Sequence, residues 1–423
     1  MKKSLRFSAA ASCCIALLFV LQGCLKDTYR ETYTIYMPVY KSLTEVRANM
    51  KGGPAQPLVN TGKLNIFGNY IFLNEINEGI HIIDNTNPAS PKNIAFISIP
   101  NNMDLAVKGR YLYADSYSDI VVFDISEPTN VRPVKFLDNV IREKNRYWVN
   151  NQTNADSIKV VVDYIARDTT VSGTQYRRWN SCPSCMYASA DLNTFFSTSA
   201  PKTGVGGSTS RFTIVNDYMY AVSNSELYAI SIATGDNPQL TSTKNMGWNI
   251  ETIYPFKDRL FIGSRTGMFI YSLSNPSSPT QLSQFTHATS CDPVIADDKY
   301  AYVTLRTGTT CAGNINQLDI LDVSNLSAPS LKKTVMMSNP HGLSKDGDKL
   351  FICDGTAGLK LYDVSTPVAP KLVQQVQGLE TVDVIAMGGR AIVVAKDGLY
   401  QFDYSSGNNI SQISKLAIQK NTK

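Results

Sequence analysis

Four carboxylates, one arginine and one histidine recur at equivalent positions of the sequence and could carry chemistry. They are Asp104, Arg211, Glu251, Asp292, His341 and Asp383. Carboxylate oxygens can bind Ca²⁺, and a pair such as Glu251 and Asp292 could act as general acid and base. The same side chains could instead only hydrogen-bond to backbone groups in a hydrated channel. The residue types leave both interpretations open.

Recognised catalytic motifs do not accompany these residues. The sequence contains no Gly-x-Ser-x-Gly, no phosphate-binding glycine loop, no His-Glu-x-x-His and no Asp-x-Asp-x-Asp-Gly. His287 and His341 leave a lyase or a metal-assisted reaction open, whereas His81 lies in an apolar segment and is predicted to be structural. We therefore expect no catalysis and no resident metal, with a hydrolase or lyase as the alternative.

A repeat of about forty residues must position these side chains. In each unit the third apolar segment ends at an Asp or Ser that we call the marker, and a proline-containing turn usually follows it. The markers are Asp84, Asp124, Ser231, Ser272, Asp322, Asp363 and Asp403. Their spacings are 40, 107, 41, 50, 41 and 40 residues. The outlier of 107 equals one repeat plus an insert of roughly 67 residues.

Each unit offers four short strands punctuated by Pro, Gly and Asn, which is typical of one propeller blade. The sequence therefore predicts an all-β, seven-bladed β-propeller with one long insertion. A β-solenoid is the alternative, although its repeats are usually shorter. The six ionisable residues begin the first strand of their units, so we expect them to form an axial ring at one mouth of the channel.

The N-terminus has the features of a bacterial lipoprotein signal. Lys2, Lys3 and Arg6 precede an apolar run at 9–21 that is too short to span a bilayer. The sequence Leu-Gln-Gly-Cys that ends at Cys24 resembles a lipobox, in which the Cys is lipidated. We expect a membrane anchor at Cys24.

The domain boundaries follow from the repeat and from this signal. We predict a signal peptide at 1–23, a tether at 24–58, a propeller at 59–423 and an insertion at 138–207. Residues 33–40 of the tether are a possible extra strand that closes the propeller.

The third segments of several units resemble a known repeat. Residues 120–126 (Ile-Val-Val-Phe-Asp-Ile-Ser) and 359–365 (Leu-Lys-Leu-Tyr-Asp-Val-Ser) are similar to the LVIVD repeat of bacterial surface and secreted proteins. With the lipobox, the chain resembles the LVIVD-repeat β-propeller lipoproteins of Bacteroidetes over roughly residues 60–405 without the insert. The resemblance implies a propeller in the outer membrane, at the cell surface or facing the periplasm, and implies no particular reaction.

Unusual features of the sequence converge on one face of the predicted propeller. The insert and a ten-residue extension of the fifth unit near 306–316 both fall in loops that open on this face. Because Trp, Tyr and Arg dominate binding hot spots, the ligand-binding candidates are Trp148, Trp179, Trp248, Tyr147, Tyr176 and Arg178. The residues of the insert could alternatively pack its own small core.

The cysteines are consistent with an oxidising compartment. Cys291 and Cys311 fall on the same face of the fifth unit and are predicted to form a disulfide. Cys182 and Cys185 form a Cys-x-x-Cys that we expect to be a small structural disulfide, with metal binding as the alternative. Cys353 occupies a small core position and is predicted to be a free, buried thiol.

Composition excludes some classes of protein. The 423-residue chain is 43% hydrophobic and carries a formal net charge of only +5, which gives no basic footprint for nucleic acid. Three histidines are too few for a His-rich metal centre. The prediction is a non-catalytic binding or adhesion module for a glycan or an envelope protein, with Ca²⁺ at the axial ring the only ion considered.

Overall fold

The computed structural model describes residues 29–142, 158–173, 193–194, 203–286, 293–307, 315–407 and 409–419. The chain divides into two compact units, one of which contains a two-stranded ribbon and the other a set of seven sheets. The elements in chain order are β1 (Tyr29–Ser42), α1 (Leu43–Ala48), β2 (Lys51–Pro54), β3 (Thr61–Phe67), β4 (Tyr70–Glu75), β5 (Gly79–Asp84), β6 (Lys92–Ser98), β7 (Leu105–Lys108), β8 (Tyr111–Ser116), β9 (Asp119–Asp124), β10 (Arg132–Leu137), β11 (Lys159–Gly173), β12 (Asn193–Thr194), β13 (Val205–Ser208), β14 (Phe212–Val215), β15 (Tyr218–Val222), β16 (Glu226–Ser231), β17 (Gln239–Asn245), β18 (Ile250–Phe256), β19 (Arg259–Ser264), β20 (Gly267–Ser272), β21 (Thr280–Thr286), β22 (Val294–Ala296), β23 (Tyr300–Leu305), β24 (Gln317–Asp322), β25 (Ser330–Met336), β26 (Leu343–Asp346), β27 (Lys349–Cys353), β28 (Leu359–Asp363), β29 (Lys371–Val376), β30 (Thr381–Met387), β31 (Arg390–Ala395), β32 (Gly398–Asp403) and β33 (Ser411–Ala417).

Seven antiparallel blades form the second unit and confirm the predicted seven-bladed propeller. Blade 1 is β3–β6, blade 2 is β7–β10, and blades 3 to 7 take the strands from β14 to β33 four at a time. Blade 1 is extended at both edges, because β2 pairs with β6 and β13 pairs with β3. The middle strands of each blade are almost fully buried, as expected for sheets packed face to face around an axis.

The marker residue of each repeat forms a turn. In the units marked by Asp, a carboxylate oxygen accepts a hydrogen bond of 2.7–2.9 Å from the backbone N–H two residues later. Hydrogen bonds from the side chains and backbone N–H groups of Ser405 and Ser365 favour the charged form, so they lower the pKa of the half-buried markers Asp403 and Asp363. A shift of register between the third and fourth strands then follows in all seven blades. The repeat motif thus encodes the turn and bulge that shape the outer strand.

The propeller closes by packing of blade 7 against blade 1. Leu64 and Ile71 of blade 1 share a buried cluster with Ile392 and Leu399 of blade 7. The Gln401 side chain donates to the Asn85 side chain at 2.6 Å across the same junction. Residues 33–40, predicted as a possible closing strand, lie in β1, which pairs with β11.

One short helix, α1, connects the ribbon strand β1 to the propeller. Ser42 caps it by accepting a hydrogen bond from the Glu45 N–H at 3.1 Å. Within the described residues, no helix has the length and apolar character needed to cross a bilayer.

Candidate functional site

The loops between blades share a face with the loops that join second and third strands, as the sequence predicted. Between β4 and β5, the Asn77 N–H donates to the Asn102 carbonyl at 2.9 Å. The Asn101 N–H, in the loop from β6 to β7, donates back to the Asn77 carbonyl at 2.7 Å. We call this side of the propeller the insert face, because the insertion leaves from it after β10.

The end of the insertion returns into the centre of the propeller. β13 pairs with the inner strand β3 of blade 1 and also contacts the inner strands β7, β14, β18 and β30. We call residues 203–210 the axial segment. Its backbone bonds to several blades, since Gly204 donates to Val107 and the Ser210 carbonyl accepts from Ile253 at 2.9 Å. The axial segment therefore lies in the channel around which the ionisable residues were predicted to form a ring.

Two glycines, Gly204 and Gly206, allow the axial segment to lie close to the inner strands of the blades. A Cβ atom on Gly204 would lie 2.2 Å from Asn65 Oδ1 and 2.9 Å from Val107 Cβ. A Cβ atom on Gly206 would lie 2.8 Å from Ser210 Oγ. Because neither position has room for a side chain, the backbone of the segment can approach the inner strands closely.

Lys63 is the central charged group of the channel and was missed by the sequence analysis. It lies on β3, is 2% exposed, and its Nζ donates to the Thr209 carbonyl oxygen at 2.6 Å. Burial lowers the pKa of Lys63 to about 7, against the opposing field of Asp104. Lys63 precedes the marker Asp84 by 21 residues, so the interval that identified the axial ring would also have identified Lys63.

Asp104 and Arg211 of the predicted axial ring are in contact, because the Arg211 backbone N–H donates to the Asp104 carboxylate. Asp104 Oδ2 accepts hydrogen bonds from the N–H groups of Arg211 and Phe212, and its Oδ1 accepts from the Leu105 N–H. Burial raises the pKa of Asp104, and Lys63 together with these N–H donors opposes the rise. Asp104 thus fixes the end of the axial segment to blade 2.

Asp383 lies deeper in the same group. It is fully buried, and a backbone hydrogen bond from Val384 favours its charged form. Burial raises its pKa well above the usual value, opposed by Lys63. A raised pKa favours the neutral carboxylic acid, which suits a Ca²⁺ ligand less well than a carboxylate does.

Glu251 and His341 are the remaining members of the predicted ring that the structure describes. Glu251 Oε1 accepts from Arg265 Nε at 2.8 Å. His341 has a pKa lowered to about 3, first by burial and then by Arg306 and Lys396, so its imidazole is neutral at pH 7. Asp292 lies outside the described residues. Glu251 is thus engaged in an ion pair, and its proposed acid–base partner is not described.

Three further carboxylates are structural. Glu75, Asp115 and Asp354 all lie nine residues before their markers, at the insert-face ends of second strands. Each accepts two backbone N–H groups from the loop that enters its own blade, for example those of Met103 and Asp104 at 2.9 and 2.8 Å on Asp115 Oδ1. Across the described ranges, no three His, Cys, Asp or Glu residues are arranged to hold a metal ion.

The described aromatic candidate is exposed. Trp248, in the loop between β17 and β18, is 78% exposed on the insert face. Met336, the last residue of β25, reaches the same face and is 73% exposed. The other five ligand-binding candidates lie outside the described residues: Tyr147, Trp148, Tyr176, Arg178 and Trp179.

Cys353 is a free thiol buried in the core, as predicted, and burial raises its pKa. His81 is buried and hydrogen-bonds to Glu75 at 3.0 Å, which agrees with a structural role. The lipidation candidate Cys24 and the disulfide candidates Cys182, Cys185, Cys291 and Cys311 lie outside the described residues, as does His287.

Comparison with known proteins agrees with this architecture. The family described as LVIVD repeat matches residues 60–95, 101–134 and 291–337, in units one, two and five. A search of curated proteins finds no match. The chain thus contains LVIVD repeats within a seven-bladed propeller.

Solved structures share the fold at low sequence identity. The computationally designed protein Ika8 matches with a TM-score of 0.52 at 8% identity, over 87% of this chain and 92% of that one. A protein from Lactobacillus plantarum matches at 0.50 and 12%, over 85% and 97% of the two chains. Dihydro-heme d1 dehydrogenase NirN in complex with DHE matches at 0.50 and 11%, over 91% and 81%. At these identities the similarity extends to the fold alone.

Proposed function

We propose that this protein is a lipid-anchored envelope β-propeller that acts as a non-catalytic binding or adhesion module, with its ligand on the insert face. The observation that carries the proposal is the exposure of Trp248 and Met336. They are the two most exposed large apolar side chains among the described residues, and both reach this face. Exposed Trp is costly to leave in water and is enriched at binding hot spots.

The state of the channel supports the same proposal. A hydrolase or lyase at the axis would need an open pocket with a free acid and base. Here the axial segment contacts the inner strands of five blades, Asp104 accepts hydrogen bonds from backbone N–H groups, and Glu251 is ion-paired with Arg265. These engagements favour recognition at the surface over chemistry at the axis.

The location of the protein is proposed from its N-terminus. Gly23 and Cys24 supply the small residue and the thiol that lipid attachment requires. The anchor would hold the propeller at the outer membrane, at the cell surface. The mass of the N-terminal peptide after membrane extraction tests the modification, and protease accessibility on intact cells tests the exposure.

A binding screen tests the function. Residues 25–423 are applied to a glycan array and used to capture envelope proteins, alongside Trp248→Ala and Met336→Ala. Leu331→Ala is the matched control, because Leu331 lies on the same strand as Met336 but at its opposite end and is 45% exposed. We expect saturable binding that the insert-face variants weaken and the control retains. Binding that is indifferent to both insert-face variants contradicts the proposal.

A further inference from the structure

The ribbon of β1 and β11 has two chemically different faces. Thr32 and Thr170 are joined by a side-chain hydrogen bond of 2.8 Å, and Thr34 donates to Asp168 at 2.7 Å. Since the partners run in opposite directions along the two strands, the ribbon is antiparallel. The exposed side chains of Tyr36 and Tyr40 lie on the same side of β1, so this face combines hydrogen-bonded polar groups with two tyrosines.

The exposed aliphatic side chains of the ribbon, Met37 and Ile165, lie on its opposite face. Side chains alternate along a strand, so Tyr33, Ile35, Met37 and Val39 lie together on the face away from Thr32 and Thr34. On β11, Ile165 is an odd number of residues from Asp168 and therefore joins them. Tyr33, Met37 and Ile165 are 43%, 45% and 59% exposed.

A two-stranded sheet of this kind needs a partner surface. An isolated pair of strands is marginally stable in water, and a contiguous exposed apolar face marks an interaction site. Arg167 shares this face and is exposed, together with the acid Asp163. The long side chain of Arg167 could reach a phosphate group while the apolar residues are buried.

The position of the ribbon in the chain indicates which partner lies within reach. Tyr29, where β1 begins, follows Cys24 by only five residues. A chain of that length spans at most about 18 Å. If Cys24 carries the lipid of the proposed function, on which this argument rests, the membrane surface is always within reach of the ribbon. Tyr side chains are enriched at that interface because they combine an apolar ring with a polar hydroxyl.

We propose that the apolar face formed by Tyr33, Ile35, Met37, Val39 and Ile165 binds the lipid headgroup region beside the anchor. The ribbon is then a second membrane contact, additional to the acyl chains. Two weak contacts together hold a protein at a membrane more firmly than either does alone.

Vesicle binding by the chain without its acyl groups tests the proposal. Residues 25–423, which retain every described residue, are sedimented with phosphatidylcholine vesicles with or without phosphatidylglycerol. The double variant Met37→Ser/Ile165→Ser is compared with Leu331→Ser/Leu372→Ser, which makes similar changes at exposed positions on β25 and β29. We expect the ribbon variant to bind at least about tenfold more weakly and the β25/β29 variant to match the parent chain.

Three results would overturn this inference. They are no vesicle binding by the unmodified chain, binding that the ribbon variant retains, and a dimer that the ribbon variant dissociates, which would assign the face to a second copy. Circular dichroism of each variant confirms that the propeller is folded. The mass of the Cys24 peptide and the ligand screen report separately on the anchor and on the insert face, so their failure is distinguishable from failure here.

Discussion

The Lys63 ammonium donates a hydrogen bond of 2.6 Å to the Thr209 carbonyl oxygen and a second of 3.2 Å to its hydroxyl. Lys63 belongs to the inner strand of blade 1, whereas Thr209 belongs to the axial segment at the end of the insertion. The contact joins the first repeat to residues 146 positions later in the chain. It lies next to Asp104 and Asp383, so a buried network replaces the open acidic ring that the sequence suggested.

Lys63 should give the protein a measurable pH dependence of stability. Its pKa is about 7 in the folded protein, below the ordinary value of 10.5. Between these pH values the unfolded chain keeps a proton that the folded protein has released, so the free energy of unfolding rises with pH. The slope from one such group is at most about 1.4 kcal/mol per pH unit.

The measurement is urea unfolding at pH 6.5, 8 and 9 for the parent chain and for Lys63→Met. The variant lacks the titrating group, so the parent curve should rise relative to the variant curve across this range. Curves that run parallel from pH 6.5 to 9 would show that Lys63 is not buried in the manner described.

Gly204→Ala should destabilise the channel. The new methyl would overlap Asn65 Oδ1 and Val107 Cβ, and overpacking of a rigid site typically costs about 1–3 kcal/mol. Thermal unfolding measures the loss. Gly53→Ala, with its nearest neighbour 3.9 Å away, is the matched control and should unfold near the parent temperature. Equal stability of the two variants would argue against an axial segment in the channel.

Asp115→Ala should destabilise the propeller. The substitution leaves the Met103 and Asp104 N–H groups without their acceptor, and each unsatisfied buried donor costs about 1–3 kcal/mol. Asp258→Ala serves as the control, because the Asp258 side chain is exposed and forms a surface ion pair with Arg259 at 2.9 Å. Urea unfolding should show a loss of about 2 kcal/mol or more for the first variant and little change for the second. An unchanged free energy of unfolding in Asp115→Ala would mean that this carboxylate does not stabilise the loop between the blades.

The repeat could be read from the sequence because each blade depends on local signals. A marker such as Asp363 forms its turn with a residue two positions away, and the turn recurs at every blade. Local geometry of this kind leaves a spacing in the sequence. The number of blades and the position of the insert face followed from that spacing alone.

The contacts in the channel could not be predicted from the spacing of the repeat. The partners of Lys63 and Asp104 come from the axial segment, which lies outside the repeat and has no periodicity. The interval of 21 residues from Lys63 to Asp84 does match the spacing of the axial ring, so it identifies Lys63 but not its partners. The exposure of Trp248 likewise depends on how a non-repeating loop leaves β17, which no spacing encodes.

The most direct test of the account compares Trp248→Ala with Glu251→Gln in binding to the ligand that the screen identifies. The two residues are three positions apart, one exposed on the insert face and the other ion-paired with Arg265. We expect Trp248→Ala to weaken binding at least about tenfold, as hot-spot truncations do, and Glu251→Gln to leave the affinity within about twofold. Loss of binding or of turnover in Glu251→Gln with full affinity in Trp248→Ala would contradict a binding site on the insert face and would place the function at the axis.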